Sequence, residues 1–258
     1  MNQLMSVLMF HALHTDAVLC NADEHYAMSV TSFDDLVRRL STQMIKIESL
    51  RNIVEKSNID TTKFTVFTFD DGHISNYVDA FPILNKYNFS ADFFINSAYI
   101  GTEGYMNWQQ IAEMHNNGMS IQSHGHHHYY FDELDKKTIV EELEISKKSI
   151  EDKIGHEVTI FAPPGGRITP LVKHIAFELG YTAISTSRPG LWTSNTSFDD
   201  IPRLPILKNT SVDRVIDWVN LDKSKVNKIR AKYYTTMIGK KLLGNNIYDK
   251  LRSAVLGG

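Results

Sequence analysis

Two clusters along the 258 residues hold side chains of types that do chemistry together. The first is Thr68-Phe69-Asp70-Asp71-Gly72. Adjacent carboxylates repel each other, so a fold that keeps both close usually supplies a cation. If one of them binds a metal, its neighbour on the opposite side of the chain stays free as a base. Gly72 permits the sharp turn that points both into a cleft. Taken alone, Asp-Asp-Gly also suits a solvated turn. The second cluster is His124-Gly125-His126-His127-His128, four of the chain's 11 histidines. Neutral imidazole is the commonest protein ligand for transition metals. In a helical turn His124 and His128 can share one ion; in an extended strand His124, His126 and His128 share a face instead.

These clusters need elements to hold them. Short runs rich in Val, Ile, Phe or Thr predict strands at Ser6–His11, Phe64–Phe69, Ala91–Asn96, Met119–Gln122, Val158–Phe161, Thr182–Ser185 and Arg203–Leu207. Amphipathic stretches between them read as helices with recognisable ends. Ser32, with Asp35 three residues on, caps a stripe of Leu36, Val37, Leu40 and Met44. Asn107 opens a helix that stops at Gly118, Asp135 one that ends at Gly155, and Thr169-Pro170 one that ends at Gly180. Seven strand–helix repeats imply parallel strands joined by helical crossovers. No GxGxxG or P-loop follows any strand, which removes the main support for a nucleotide-binding open sheet.

Against those strands the polar residues fall into place. His11 ends the first strand, Asp70 and Asp71 the second; His124 follows the fourth, and Pro163-Pro164-Gly165-Gly166 the fifth. All lie at carboxyl ends, the face where parallel α/β folds build their sites. A random scatter of Asp and His would not do this.

TFDDG at Thr68–Gly72, followed some fifty residues later by SHGHHH at Ser123–His128, resembles the polysaccharide deacetylase family, the NodB-homology carbohydrate esterases. The resemblance continues through FAPPGG at Phe161–Gly166 and covers most of residues 6 to 207. It implies a distorted (β/α)7-type barrel. It also implies that Asp70 is the catalytic base, and that Asp71, His124 and His128 are the metal ligands, with His126 and His127 as neighbours. Two departures matter. The family's Arg before Pro, which tethers the base, is replaced by Ala162, and no histidine near the C-terminal end supplies the usual acid. Circularly permuted relatives carry that histidine on the first strand, and Leu8-Met9-Phe10-His11 matches them, so His11 is the expected acid. Arg203, in Ile201-Pro202-Arg203-Leu204-Pro205, is the candidate substitute for the lost tether. Trp108, Trp192 and the Pro164-Gly165-Gly166 turn are candidate substrate contacts.

The expected activity is metal-dependent removal of an N-acyl group, acetyl in first place, from an amino sugar in a glycan or glycan precursor. Two histidines and one carboxylate suit Zn2+, with Co2+, Ni2+ or Mn2+ as substitutes. Two other classes stand beside it: a phosphoesterase-like barrel hydrolase using His126 and His128 as an H-x-H pair, and an inactive carbohydrate-binding relative. The phosphoesterase asks for further ligands on later strands, and a bare binding module has no need of a base.

Composition bounds the rest. With 42% hydrophobic and 22% charged residues the chain is an ordinary globular one, and Cys20 alone excludes an internal disulfide. The net charge of -3 argues against nucleic acid as a partner. That total hides an asymmetry: residues 221–258 carry nine Lys and Arg against Asp222 and Asp249, +7 net, leaving −10 on the first 220. We therefore divide the chain into a catalytic domain, 1–220, and a basic amphipathic helical extension, 221–258, broken into two helices by Gly239 and Gly244. Such a segment suits peripheral contact with an anionic membrane. The N-terminal stretch has no Lys or Arg before Arg38 and reads as a strand rather than a secretory signal, so the expected location is cytoplasmic.

Overall fold

The computed structural model describes residues 4–15, 22–55, 64–193 and 197–243, with side chains placed as far as residue 235. Cys20 and residues 244–258 of the basic extension lie outside the described residues.

Seven parallel strands make the barrel wall: β1 (Val7–Phe10), β2 (Phe64–Phe69), β3 (Asp92–Ile95), β4 (Ser120–Ser123), β5 (Ile160–Phe161), β6 (Ala183–Ile184) and β7 (Leu204–Pro205). Their order is β6-β5-β4-β3-β2-β1-β7. The sheet curls back on itself. Ile201 bridges in parallel to Ser185 beyond β6, and β7 then pairs with β1 through Leu204↔Leu8 and Pro205↔Met9. A short strand, Lys46–Glu48, adds to the lower half of β2.

The period of two along each strand divides the core in two. Leu8, Phe10, Phe67, Phe69 and Phe93 face outward, into an apolar layer shared with the surrounding helices. Val7, Val66, Phe94, Ile160 and Ala183 face inward and fill the lower barrel with Leu50 and Ile53. Those two come from a short helix, α2 (Leu50–Glu55), which closes the amino-terminal end together with the antiparallel pair Leu4–Met5 and Trp192–Thr193. The wide outer face of the wall is covered by α1 (Val30–Thr42), α3 (Phe81–Lys86), α4 (Trp108–Asn116), α5 (Lys136–Ile154), α6 (Pro170–Glu178) and α7 (Val212–Val219).

Most helix ends follow the expected chemistry. Asn107 and Gln110 form a reciprocal capping box, Asp135 accepts the Thr138 N–H, and Gly155 takes the left-handed conformation after α5. Helix α1 differs: its cap is Ser29, which accepts the Ser32 N–H, so the helix starts a turn early. That start brings Phe33 onto the buried stripe with Leu36, Val37 and Leu40. Met44, expected on the stripe, lies past the helix end with φ 57° and is exposed.

The final helix, α8 (Lys223–Leu243), runs without a break through Gly239. A single glycine costs a helix only about 1 kcal/mol, less than neighbouring turns contribute. Its first turns belong to the barrel: Val226 is buried in the outer core, Ile229 packs beside it, and Lys225 pairs with Asp217 of α7 at 3.3 Å.

Candidate active site

The upper, carboxyl-terminal half of the barrel interior is polar where the lower half is apolar. Because Val66 and Thr68 point inward along β2, Asp70 continues the same face into the mouth. Its carboxylate receives Arg203 in a two-pronged pair, Nη1 to Oδ1 at 2.6 Å and Nη2 to Oδ2 at 2.8 Å. Arg203 enters from just before β7, is fully buried, and is itself fixed. Nη1 donates to Thr68 Oγ1 at 3.1 Å, Nε donates to the Thr186 carbonyl at 3.1 Å, and the guanidinium lies 5.4 Å from the Phe94 ring centroid. Burial works to raise the pKa of Asp70, but the Arg203 guanidinium, aided by His124 and His11, holds it below the ordinary carboxylate value. Ala162, beside β5, is buried and too small to offer a tether from its own side.

Asp71 turns the other way. It has φ 75° and Gly72 φ 79°, two successive left-handed residues that reverse the chain at the strand end. A non-glycine residue there costs on the order of 1 kcal/mol, a cost that marks a position held for function. A Cβ on Gly72 would come 3.1 Å from Ile95 Cγ2, so the tight turn needs glycine twice over.

His124 follows β4. Its Nδ1 lies 2.6 Å from the Ala162 carbonyl oxygen, which can only accept, so Nδ1 carries the proton and Nε2 presents its lone pair. That Nε2 is 3.3 Å from Asp71 Oδ1, and so is Nε2 of His128. The three donor atoms lie within 4.8 Å of one another. Asp71 Oδ1 is buried and makes no well-formed hydrogen bond among the described residues. Burial works against its charge, yet His124, His128 and His11 hold the Asp71 carboxyl well below the usual range. His128 moves the opposite way: burial lowers it, and the Asp71 carboxylate more than restores it, so its pKa is raised. An orphaned carboxylate oxygen facing two imidazole nitrogens is a donor set that fits a divalent cation of the zinc type.

The histidine run therefore divides. His126 turns its Nδ1 to Ser97 Oγ at 2.7 Å, and His127 its Nδ1 to Glu142 Oε1 at 2.6 Å. Among the described residues no further carboxylate or histidine from β5 to β7 joins the cluster.

His11 stands across the mouth, after β1. The Asn76 side-chain amide donates to its backbone carbonyl at 2.7 Å, and Tyr26 lies over its ring at 4.6 Å between centroids. Its Nδ1 is buried and has no hydrogen-bond partner among the described residues. Burial lowers the His11 pKa, against the pull of Asp71 and Asp70. Of the other candidates, Trp108 is half-buried against the outer core and Trp192 is buried in the lower plug. Pro164, Gly165 and Gly166 form a tight turn beside the site. A Cβ on Gly166 would come 2.5 Å from the Ser187 backbone nitrogen, and one on Gly165 2.9 Å from the exposed Tyr130 ring.

Sequence reasoning missed Glu142, Asn96, Asn76, Ser97 and Tyr26. One signal was available for Glu142: it shares a helical face with Ile139, Leu143, Ser146 and Ile150, where a charge has no place unless it is paired.

The mouth of a seven-stranded parallel barrel thus gathers two carboxylates, two imidazoles that could hold a metal ion with one of them, and a buried arginine. Residues 57–184 match the polysaccharide deacetylase family, and the chain belongs to it. YxkH of Bacillus subtilis, a protein assigned to the polysaccharide deacetylases, is 34% identical over 128 residues, 50% of this chain and 46% of that protein. A poly-beta-1,6-N-acetyl-D-glucosamine N-deacetylase of Staphylococcus aureus is 23% identical over 179 residues, 62% of each chain. The matches thus span about half to three fifths of these relatives' own lengths. Among solved structures, the Streptococcus pyogenes deacetylase PplD in complex with acetate shares the fold with a TM-score of 0.78 at 23% identity, covering 85% of this chain and 99% of that one. IcaB from Ammonifex degensii does so with a TM-score of 0.70 at 23% identity, over 84% and 97%.

Proposed function

We propose that this chain is a metal-dependent hydrolase that removes an N-acyl group, acetyl in first place, from an amino sugar within a glycan. One observation carries the proposal: Asp70 is tethered by Arg203 and kept apart from the Asp71–His124–His128 cluster, so a base and a cation site stand side by side. The poly-beta-1,6-N-acetyl-D-glucosamine N-deacetylase of Staphylococcus aureus points to the substrate class.

Asp71, His124 and His128 would hold the ion, Zn2+ by preference and Co2+, Ni2+ or Mn2+ as substitutes. A cation there supplies Lewis-acid polarisation of the amide carbonyl and acidifies water. The residues of the chain do the rest. Asp70 accepts the proton of the attacking water, and the fork of Arg203 keeps its carboxylate charged and aimed. His11 delivers a proton to the departing nitrogen, without which an amine leaves poorly. The Tyr26 ring and the Asn76 amide fix where that imidazole sits.

The test pairs zinc titration of the purified protein with acetate release from β-1,6-linked N-acetylglucosamine oligomers. Asp70→Asn should keep the metal and lose turnover. His11→Ala should impair amide hydrolysis more than hydrolysis of an activated acetate ester, which needs no acid. Absence of acetate release from any N-acetylated oligomer by the zinc-loaded protein would sink the proposal. The basic surface of α8 supports a further part of it, weak contact with an anionic membrane from the cytoplasmic side. Equal failure to pellet with anionic liposomes at low and high salt would remove that part.

A further inference from the structure

Nothing in the catalytic steps uses Glu142, yet it is one of the few carboxylates buried in the outer core. It projects from the inward face of α5 and reaches the loop that carries His124 and His128. Oε2 accepts two consecutive backbone N–H groups, of His126 at 2.9 Å and of His127 at 2.8 Å, and Oε1 lies 2.6 Å from His127 Nδ1. A single side chain therefore satisfies three donors of a five-residue loop. The opposite wall of the loop is held as well: Asn96 Nδ2 donates to the His124 carbonyl at 2.6 Å, and Ser97 Oγ meets His126.

The loop needs holding because its path is unfavourable. Gly125 has φ 83° and His128 φ 58°, so the turn passes through the left-handed region twice. At His128 a Cβ makes that conformation costly. Gly125 has Phe131 at its back: an added Cβ would come 3.1 Å from Phe131 Cε2 and 3.7 Å from Glu142 Oε2. This strained path brings Nε2 of His124 and Nε2 of His128 to the same 3.3 Å from Asp71 Oδ1.

We propose that Glu142 is a positioning residue that sets the metal-binding loop in its ligating shape before any ion arrives. It does so by clamping the His126 and His127 amides so that His124 and His128 converge on Asp71. The proposal rests on the assignment of those three residues as ligands. It differs from a purely structural role because the clamped amides lie between the two ligands, so loss of the clamp is felt as metal affinity rather than only as stability.

Zinc affinity of the full chain, read by calorimetry or chelator competition, separates these cases. Glu142→Met keeps the packing and removes both acceptors, and zinc should then bind about 10- to 100-fold more weakly, the usual range for lost supporting bonds around a metal. Glu142→Gln retains an oxygen for the two amides and should bind within about threefold of the wild type. His127→Ala, which loses only the side-chain arm, should do the same. Wild-type zinc affinity in Glu142→Met would overturn the proposal. Should that variant not fold, hydrogen exchange of the metal-free wild-type protein decides. The His126 and His127 amides should already be protected, and rapid exchange at both would overturn the clamp. Wild-type protein that binds no zinc at all would remove the ligand assignment itself, an outcome distinct from an intact site that ignores Glu142.

Discussion

The two ends of the barrel each bury an aspartate, and the pair show what burial alone does to a carboxyl group. Asp70 lies at the carboxyl end of β2; Asp92 opens β3, beside it, at the amino end. Both are nearly inaccessible to solvent. Asp92 accepts the backbone N–H groups of Leu50 and, at 3.3 Å, of Arg51, tying the plug helix α2 to the sheet. It has no cation. Burial, only partly offset by those amides, pushes its carboxyl up to about 7. Asp70 suffers the same desolvation and moves the other way, because Arg203 meets it with a preorganised fork. One end is thus arranged for a carboxyl group that can stay neutral and structural, the other for a charged one that can take up protons.

The largest change expected comes from erasing the charge at the upper end. Asp70→Asn should lower turnover by about 10^3-fold while zinc stays bound, within the span ascribed to a positioned base. Next comes an attempt to convert Asp70 into a second Asp92. Arg203→Met leaves the carboxyl buried and unpaired, which should cost about 3–5 kcal/mol in urea unfolding. It should also move the acid limb of the kcat/KM profile toward neutral pH. An unmoved limb would show that Arg203 does not set the ionisation of Asp70.

Asp92→Asn sharpens the comparison from below. With the folded value raised to about 7 and the ordinary value at 3.8, the folded protein keeps a proton that the unfolded chain has lost between those limits. Stability is therefore greatest below that window and falls as pH rises through it, by about 1 kcal/mol from pH 5.5 to 6.5. The variant should flatten that slope, as followed by unfolding at the two pH values. The smallest effect belongs to Thr68→Val, which removes one donor–acceptor contact from Arg203 and leaves the fork on Asp70 intact. It should cost about 1 kcal/mol of stability and less than tenfold in turnover.

Local pattern accounts for much of the site. Asp70, Asp71, His11, His124 and the Pro164-Gly165-Gly166 turn could be placed at strand ends because short apolar runs with period two are read directly from the chain. The choice of His124 and His128 over His126 depended on whether the loop is extended or turned. That conformation is fixed by Glu142, Asn96 and Ser97, which lie on other elements. Arg203 stood in the sequence as a plausible tether, but its approach to Asp70 crosses 133 positions of chain. In the basic extension, helical spacing was visible, whereas the docking of Val226 and Ile229 onto the core was not.

By itself, then, the sequence determined the seven wall strands and most of the helices between them, the ends at which charge accumulates, and the residue types available there. Those follow from periodicity and from capping and turn chemistry, which act over a few residues. Only the tertiary structure decided which groups became partners: Arg203 with Asp70, Glu142 with the His126–His127 amides, Leu50 and Arg51 with Asp92. Each pairing joins elements far apart in the chain. The sign of each carboxyl group's pKa shift follows from whether the curled sheet brings a cation or only an amide within reach of a buried oxygen.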